Sequence, residues 1–240
     1  MAELGGVRGV VNEADVTAGK VAILNDLQAQ GQALGHIGPE YLRPIVPGSA
    51  VPNAAMLVVG LGTGVNAAPV HNTPWGRVVP PSECGHSSMP IRNARDLALA
   101  QFIESYGDHA HGFAGVEDAL AGRGLEHVHA FVAHEAGTPQ TRSSAEIMAA
   151  LVAGDALAIA AARLYVHILG SPLGNLALTH LPYGGIFLIG GMSRAMTPEQ
   201  SIESFVDKNF DRETAFLAEL VKVPTDNPPG DCAAHAARAR

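Results

Sequence analysis

Two polar residues that directly follow an apolar run are the first candidates for chemistry. The segment "KVAILND" predicts a short buried strand at Val21–Leu24, which ends at Asn25 and Asp26. A carboxylate placed after a buried strand is partly desolvated and faces a cleft, which suits a general base that takes a proton from a hydroxyl group. The same aspartate could instead cap the helix predicted in "LQAQGQALGHI". The sequence alone leaves both roles open.

Three further polar residues could share one pocket with these two. The segment "SECGH" places Glu83 and His86 three residues apart at the predicted end of a strand, and Glu117 lies in "GVEDALAGRG". Carboxylates accept hydrogen bonds and an imidazole can donate or accept, so the set suits a ligand rich in hydroxyl groups. Each residue could instead be a polar side chain in a surface turn or on the solvent-facing side of a helix.

Glycine-rich turns follow two other apolar runs. "VVGLGTGVN" contains Gly62, Thr63 and Gly64, and "GGIFLIGG" ends at Gly190 and Gly191. Glycine allows a ligand to approach the backbone closely, and a hydroxyl between glycines is a small exposed donor, so the first turn suits a phosphate group as well as an ordinary tight turn. In open α/β sheets ligands bind beyond the carboxyl ends of the strands, so three such strand ends predict a binding site.

Composition restricts the class of protein. The 240 residues are 47% hydrophobic and 16% charged, which predicts a substantial core. The 15 basic and 23 acidic residues give a net charge of −8, which argues against non-specific binding of nucleic acid. Two cysteines, Cys84 and Cys232, form neither a disulfide framework nor a zinc site, which fits a reducing cytoplasm.

Neither a signal peptide nor a membrane span is expected. The most apolar helical stretch, "IMAALVAGDALAIAAARLYVHILG", contains Asp155 and Arg163 and is predicted to be a buried core helix. No cluster of Cys and His supports a metal site. The histidines between positions 109 and 134 are expected to be exposed polar residues.

The remaining elements follow from periodicity and capping signals. The sequence predicts a strand at Ala55–Gly60, a hairpin over residues 67–82 with "HNTPWG" as its turn, and a second hairpin strand in "RVVPPSECGH". It then predicts helices from Ala94 to about Ala136 with a break at "LAGRGLE", one long alanine-rich helix capped by Ser143 or Ser144, and a buried strand at Gly184–Gly191.

Several of these segments, in this order, resemble the bacterial-type ATP-dependent glucokinases of the hexokinase and actin-like ATPase superfamily. "ILNDLQAQGQAL" resembles that family's strand-end Asn-Asp, and "VVGLGTGVNAA" resembles its second phosphate loop. "PSECGHSSMP" is similar to its E-G-G-H sugar motif, "EDALAGRGL" to its E-x-x-L-S-G-x-G-L, and "LGNLALTHLPYGGIFLIGGM" to the segments beside its adenosine site. The resemblance extends from about Val21 to the C-terminus.

The resemblance implies an α/β fold: an actin-like ATPase (ribonuclease H-like) large domain at residues 28–240, with a remnant of the small N-terminal lobe at residues 1–27. It implies ATP-dependent phosphorylation of glucose to glucose 6-phosphate, with ATP and Mg²⁺ as cofactors, in a cytoplasmic homodimer. Asp26 would be the catalytic base, and no residue is assigned to the metal. The sugar contacts would be Asn25, Glu83, His86 and Glu117, and the ATP contacts Gly62, Thr63, Gly64, Gly190 and Gly191.

The chain departs from the family pattern in three places. Cys84 replaces the first glycine after Glu83, and Asn66 replaces a glycine just beyond the phosphate loop. No D-x-G-G-T-x-x-R segment, the family's first phosphate loop, is found before "KVAILND". This last departure keeps an alternative open, a catalytically inactive remnant that binds sugar or a partner. It also predicts self-association through an unpaired strand at Val21–Leu24.

Overall fold

The computed structural model describes residues 24–37, 50–106 and 112–196, together with the single residues Leu42 and Ile45. The strand predicted at Val21–Leu24 lies outside these ranges except for Leu24, which is exposed and precedes the first helix. The self-association expected from that strand therefore stays a prediction, as do the two domains proposed for residues 1–27 and 28–240.

A mixed four-stranded sheet forms the centre of the described structure. Its strands are β1 (Met56–Leu61), β2 (Val65–Thr73), β3 (Gly76–Val78) and β4 (Ile186–Ile189), in the order β3-β2-β1-β4. β1 pairs with β2 in antiparallel register, from Met56 opposite Val70 to Leu61 opposite Val65. β1 pairs with β4 in parallel register, so the carboxyl ends of these two strands lie side by side.

One helix covers the first face of the sheet. α1 (Asp26–Ala33) continues into a 3-10 turn at Leu34–His36. Leu27 and Leu34 pack with Val58 and Val70. A Cβ atom at Gly60 would lie 3.0 Å from the Leu27 side chain, so a glycine in β1 lets the start of α1 lie close to the sheet. The helix predicted to follow Asp26 is confirmed, and it crosses the predicted domain boundary at residue 27.

A layer of helices covers the opposite face. Because side chains alternate along a strand, Leu57, Val59 and Leu61 face this second layer while Val58 faces α1. The layer contains α2 (Ala94–Tyr106), α3 (Val116–Leu120), α4 (Gly122–Glu135), α5 (Ser144–Val152), α6 (Ala156–His180) and α7 (Gly191–Met196). The expected strand at 55–60, the hairpin and the helix break near Ala121 are confirmed, whereas residues 112–115, which were expected to be helical, are not.

The alanine-rich segment forms two helices where the sequence predicted one. Gly154 adopts a φ of +82°, which only glycine adopts readily and which ends α5. Asp155 then caps α6, because its carboxylate accepts a hydrogen bond from the Ala158 N–H at 2.9 Å. Ser143 caps α5 through the Glu146 N–H, as predicted. By length and composition α6 could cross a membrane, but most of its apolar stretch is buried inside the molecule, as in a core helix.

Two other expectations need correction. The second hairpin strand ends at Val78, because Pro80 and Pro81 have no N–H to donate to a neighbouring strand. His127 and His129 are buried in α4 and are not exposed polar residues. His127 Nδ1 lies 2.8 Å from the Asp118 carbonyl oxygen, and burial lowers the pKa of His129, which keeps that ring neutral.

A buried tyrosine joins α6 to the end of α3. The Tyr165 hydroxyl in α6 donates to the Leu120 carbonyl at the end of α3 at 2.5 Å, and burial raises the pKa of this hydroxyl. We expect Tyr165→Phe to lower the free energy of unfolding by about 1–3 kcal/mol, because it removes the donor from a buried carbonyl. Urea unfolding measures this loss. An unfolding free energy equal to that of the parent chain would contradict the predicted role of this hydrogen bond.

Candidate active site

The turn between β1 and β2 lies at one edge of the sheet and is held by two backbone hydrogen bonds. The Gly62 N–H donates to the Gly64 carbonyl at 3.0 Å, which closes the turn. The Gly62 carbonyl accepts from the Gly122 N–H at 2.8 Å, which fixes the turn against the start of α4. Thr63 and Gly64 are exposed at the tip. One of the three amides predicted for phosphate binding is therefore already used inside the turn.

Glu117 lies directly beside this turn. A Cβ atom at Gly64 would be 3.2 Å from Glu117 Oε2, so glycine leaves room for the carboxylate. Glu117 Oε1 lies 3.6 Å from His86 Nε2 and 3.2 Å from the Arg123 guanidinium. The structure therefore brings together two of the predicted sugar contacts and one glycine of the predicted phosphate loop.

The position of Glu117 follows from the local structure around α3. The buried Asp118 carboxylate accepts from the Gly115 N–H at 2.9 Å and forms an ion pair with Arg123 at 2.8 Å. The Ser87 carbonyl accepts from the Val116 N–H at 2.9 Å, which joins the first residue of α3 to the segment that carries His86. Because one hydrogen-bonded unit supports both side chains, Glu117 and His86 are held on the same side of the sheet edge.

Glu83 precedes a 3-10 turn at Cys84–His86, and His86 is the last residue of that turn, so neither stands at a strand end as predicted. Gly85 permits this turn to lie against β2, because a Cβ atom there would be only 1.8 Å from the Val65 carbonyl oxygen. Glu83 Oε2 accepts a hydrogen bond from the Asn66 amide at 3.3 Å. A turn that lies close to the β2 backbone, and not a strand end, therefore carries Glu83 and His86.

Asn25 and Asp26 begin α1. Asn25 is the N-cap: its side-chain oxygen accepts from the Gln28 N–H at 2.7 Å, and Gln28 Oε1 accepts from the Asn25 N–H at 3.3 Å. Asp26 is the exposed first residue of the helix, and its Oδ1 accepts from the Leu27 N–H at 2.8 Å. The capping position considered for Asp26 is thus taken by Asn25.

Contacts connect the start of α1 to the rest of the site. Leu27 packs on Gly60, and Gly60 is the register partner of Asn66. Asn66 in turn contacts Glu83. Asp26 therefore begins a helix anchored on the strand pair that carries the glycine turn and the Glu83 segment.

Gly190 and Gly191 stand at the carboxyl end of β4, next to the end of β1. Gly190 has a φ of +101°, and a Cβ atom there would lie 2.2 Å from the Leu61 carbonyl oxygen. Gly191 is the first residue of α7 and faces open space, because a Cβ atom there would meet no atom of the described residues within 4 Å. The two strand ends that the sequence placed at one sheet edge are adjacent.

Two residues of the site were not predicted as contacts. Arg123 binds Glu117 and Asp118, and its only sequence signal is its place six residues after Glu117 in the quoted "EDALAGRGL". Asn66 was noted only as a departure from the family pattern, as was Cys84. The two departures contact each other, since the Cys84 N–H donates to Asn66 Oδ1 at 3.2 Å.

Residues 11–226 match the family model described as Glucokinase. The chain is 34% identical to a glucokinase of Mesorhizobium japonicum over 187 residues, which is 77% of this chain and 54% of that protein. The chain belongs to the glucokinase family. A glucokinase of Pseudomonas aeruginosa is 31% identical over 204 residues, with 84% of this chain and 60% of that protein covered. The chain thus spans about half the length of several glucokinases that it matches. It covers 54% of the Mesorhizobium japonicum protein and 52% of a Chelativorans glucokinase.

Solved glucokinase structures share the fold. The crystal structure of a glucokinase from an Antarctic psychrotroph is 26% identical, has a TM-score of 0.64, and is matched over 81% of this chain and 60% of its own. A Balamuthia mandrillaris glucokinase in complex with glucose is 21% identical, has a TM-score of 0.55, and is matched over 76% of this chain and 48% of its own. The family resemblance and the α/β fold class expected from it are confirmed.

Proposed function

We propose that this glucokinase-family protein transfers the terminal phosphate of ATP to the 6-hydroxyl of glucose. The observation that supports this most directly is the contact of His86 with Glu117 beside Gly64. It joins side chains suited to sugar hydroxyls with a glycine turn suited to a phosphate. Family membership supplies the reaction type.

The proposed roles follow the chemistry of each group. Glu83 and Glu117 accept hydrogen bonds from sugar hydroxyls, and His86 and the Asn25 amide can donate or accept. Asp26, exposed at the start of α1, accepts the proton of the 6-hydroxyl as it attacks phosphorus. Arg123 holds Glu117 and limits its rotation, so this carboxylate meets the sugar in a fixed orientation.

The glycines at the two strand ends fit a nucleotide. Neither Gly62 nor Gly191 has a positive φ, and a Cβ atom at either would meet no described atom within 4 Å. Close approach of a ligand is therefore a better reason for glycine at these positions than packing is. Thr63 and Gly64 offer exposed donors to phosphate oxygens.

Magnesium would accompany the nucleotide. Among the described residues, no group of three or more His, Cys, Asp or Glu side chains could hold a metal ion. Mg²⁺ bound with a nucleotide usually takes most of its ligands from phosphates and water, with one or two carboxylates. Mg²⁺ neutralises phosphate charge when bound. The proposed sugar contacts Asn25, Glu83, His86 and Glu117 supply the sugar side of the site.

A second candidate function is glucose binding without phosphate transfer. The Gly62 N–H favours it, because that amide is bonded to the Gly64 carbonyl and not available to a phosphate in this conformation.

A cytoplasmic location is proposed for both candidates, because the chain has only two cysteines. The homodimer expected from the resemblance also stays a prediction.

The full 240-residue chain tests both candidates in one assay. With glucose, ATP and Mg²⁺, we expect glucose 6-phosphate and ADP to form in proportion to protein concentration, and an enzyme-coupled assay of ADP measures the reaction with either sugar. Galactose in place of glucose is the matched control, and we expect less product from it. Saturable glucose binding without product would support the second candidate. Neither binding nor product would contradict both.

A further inference from the structure

The Asn66 side chain makes most of its hydrogen bonds to the segment that carries Glu83. Its amide nitrogen donates to the Ser82 carbonyl and, at 3.3 Å, to Glu83 Oε2. Its oxygen accepts from the Ala67 N–H at 2.8 Å and from the Cys84 N–H at 3.2 Å. The Asn66 amide therefore contacts three consecutive residues, from Ser82 to Cys84.

The orientation of this amide is determined by its neighbours. Two backbone N–H groups, those of Ala67 and Cys84, point at the same atom of Asn66, which must be the oxygen. The Cys84 thiol lies 3.6 Å from that oxygen as a third donor, and burial raises the pKa of this thiol, which keeps its proton. The NH₂ group is consequently directed at Ser82 and Glu83.

Asn66 is itself fixed in the sheet. It stands opposite Gly60 in the β1–β2 register, one residue before Ala67, whose side chain is buried. The Glu83 carboxylate, by contrast, is exposed and follows two prolines with no sheet partner for Ser82 or Glu83 among the described residues. Asn66 is therefore the strand residue that orients an otherwise exposed carboxylate.

We propose that Asn66 is a positioning residue of the sugar site, which orients the Glu83 carboxylate toward a bound hexose through its amide N–H. This inference rests on the proposed function, because it takes Glu83 as a sugar contact. Asn66 itself need not touch the sugar. One lone pair of Glu83 Oε2 binds Asn66, and the remaining lone pairs of the carboxylate stay available to hydroxyl groups.

The substitution Asn66→Asp tests the N–H donors of this amide separately from its oxygen. Aspartate keeps the oxygen that accepts from Ala67 and Cys84, but it removes both N–H donors and places a negative charge beside Glu83. We expect glucose affinity, measured by calorimetry on the full chain, to fall about tenfold or more, as for loss of a hydrogen bond to a charged group. Asn72→Asp is the matched control: it lies on the same strand, and its oxygen can still accept from Arg77. We expect no change in glucose affinity for that variant.

A spectroscopic measurement on the unmodified protein covers the case in which Asn66→Asp does not fold. In ¹H–¹⁵N spectra, we expect the side-chain amide signals of Asn66, assigned through bonds, to move on addition of glucose while those of Asn72 stay in place. In Glu83→Gln the Asn66 signals should no longer respond. A residue that served only the stability of the loop would not give this dependence on Glu83.

The outcomes separate the inference from the function on which it rests. If the parent chain binds glucose but Asn66→Asp binds it equally well, or the Asn66 signals do not respond to glucose, the positioning role is wrong and the sugar site stands. If the parent chain binds no glucose, the proposed sugar site is wrong and the positioning role is wrong with it.

Discussion

Asp26→Asn is expected to lower kcat for glucose 6-phosphate formation by about 10²–10⁴-fold, the usual contribution of a general base. The amide keeps the shape of the carboxylate, and its oxygen can still accept from the Leu27 N–H, so α1 should form as before. An amide cannot take the proton of the 6-hydroxyl. We therefore expect glucose affinity to stay near that of the parent chain while turnover is lost. Initial rates and calorimetry on the same preparation measure the two quantities.

Asp155→Asn is the matched control for this variant. Asp155 also stands at the start of a helix, where its carboxylate accepts from the Ala158 N–H and pairs with Arg142. Asparagine is an equally good N-cap, so this variant tests whether an Asp to Asn change at a helix start affects turnover by itself. If Asp26→Asn turned over glucose at the rate of the parent chain, Asp26 would be only a helix-start residue.

Gly190→Ala is expected to lower the free energy of unfolding by about 3 kcal/mol or more, from backbone strain and overpacking combined. The φ of +101° is strained for any residue with a side chain, and the new Cβ atom would lie 2.2 Å from the Leu61 carbonyl oxygen. Relief would require the ends of β1 and β4 to separate. Urea unfolding monitored by circular dichroism measures the change.

The neighbouring Gly191→Ala is an unusually close control. Its Cβ atom would meet no described atom within 4 Å, and alanine is favoured over glycine in a helix. We expect its unfolding free energy to stay within about 0.5 kcal/mol of the parent value, as for most surface substitutions. ATP affinity should nevertheless fall, if a nucleotide approaches the backbone there. Equal stability of the Gly190 and Gly191 variants would contradict the assigned packing of the two strand ends.

Strong local signals in the sequence predicted most of the framework. The apolar run before Gly60 predicted β1, and the glycines after it predicted the turn that the structure closes between Gly62 and Gly64. Ser143 with Glu146 three residues later predicted the start of α5. These succeeded because the interactions involved are local in the chain, so residue type and spacing determine them.

The failures have two causes. The apolar residues on both sides of Gly154 and Asp155 led to the prediction of one helix, but the φ of +82° at Gly154 and the Asp155 cap divide it into two. His127 and His129 have a polar residue type but lie where α4 packs into the core, so tertiary packing buries them.

The site itself was predictable in its residue types but not in its connections. The contact of Glu117 with His86 depends on a turn at residues 84–86 and a helix start at residue 116, which meet only in the folded chain. Asn66 gave one signal, a polar side chain where the family pattern has glycine, but its contacts with Ser82, Glu83 and Cys84 link residues 16 to 18 positions apart. The family resemblance predicted the roles of the site residues, and the contacts in the structure identified Asn66 and Arg123 beside them.

Glucose titration of the full 240-residue chain, followed by calorimetry, tests the central claim most directly. This chain contains all the proposed sugar contacts, Asn25, Glu83, His86 and Glu117, so glucose should bind even if phosphate transfer needs further groups. We predict saturable heat at a single site at millimolar glucose or below, with weaker binding of galactose. Absence of saturation with either sugar at millimolar concentrations would contradict the sugar site assigned to these residues.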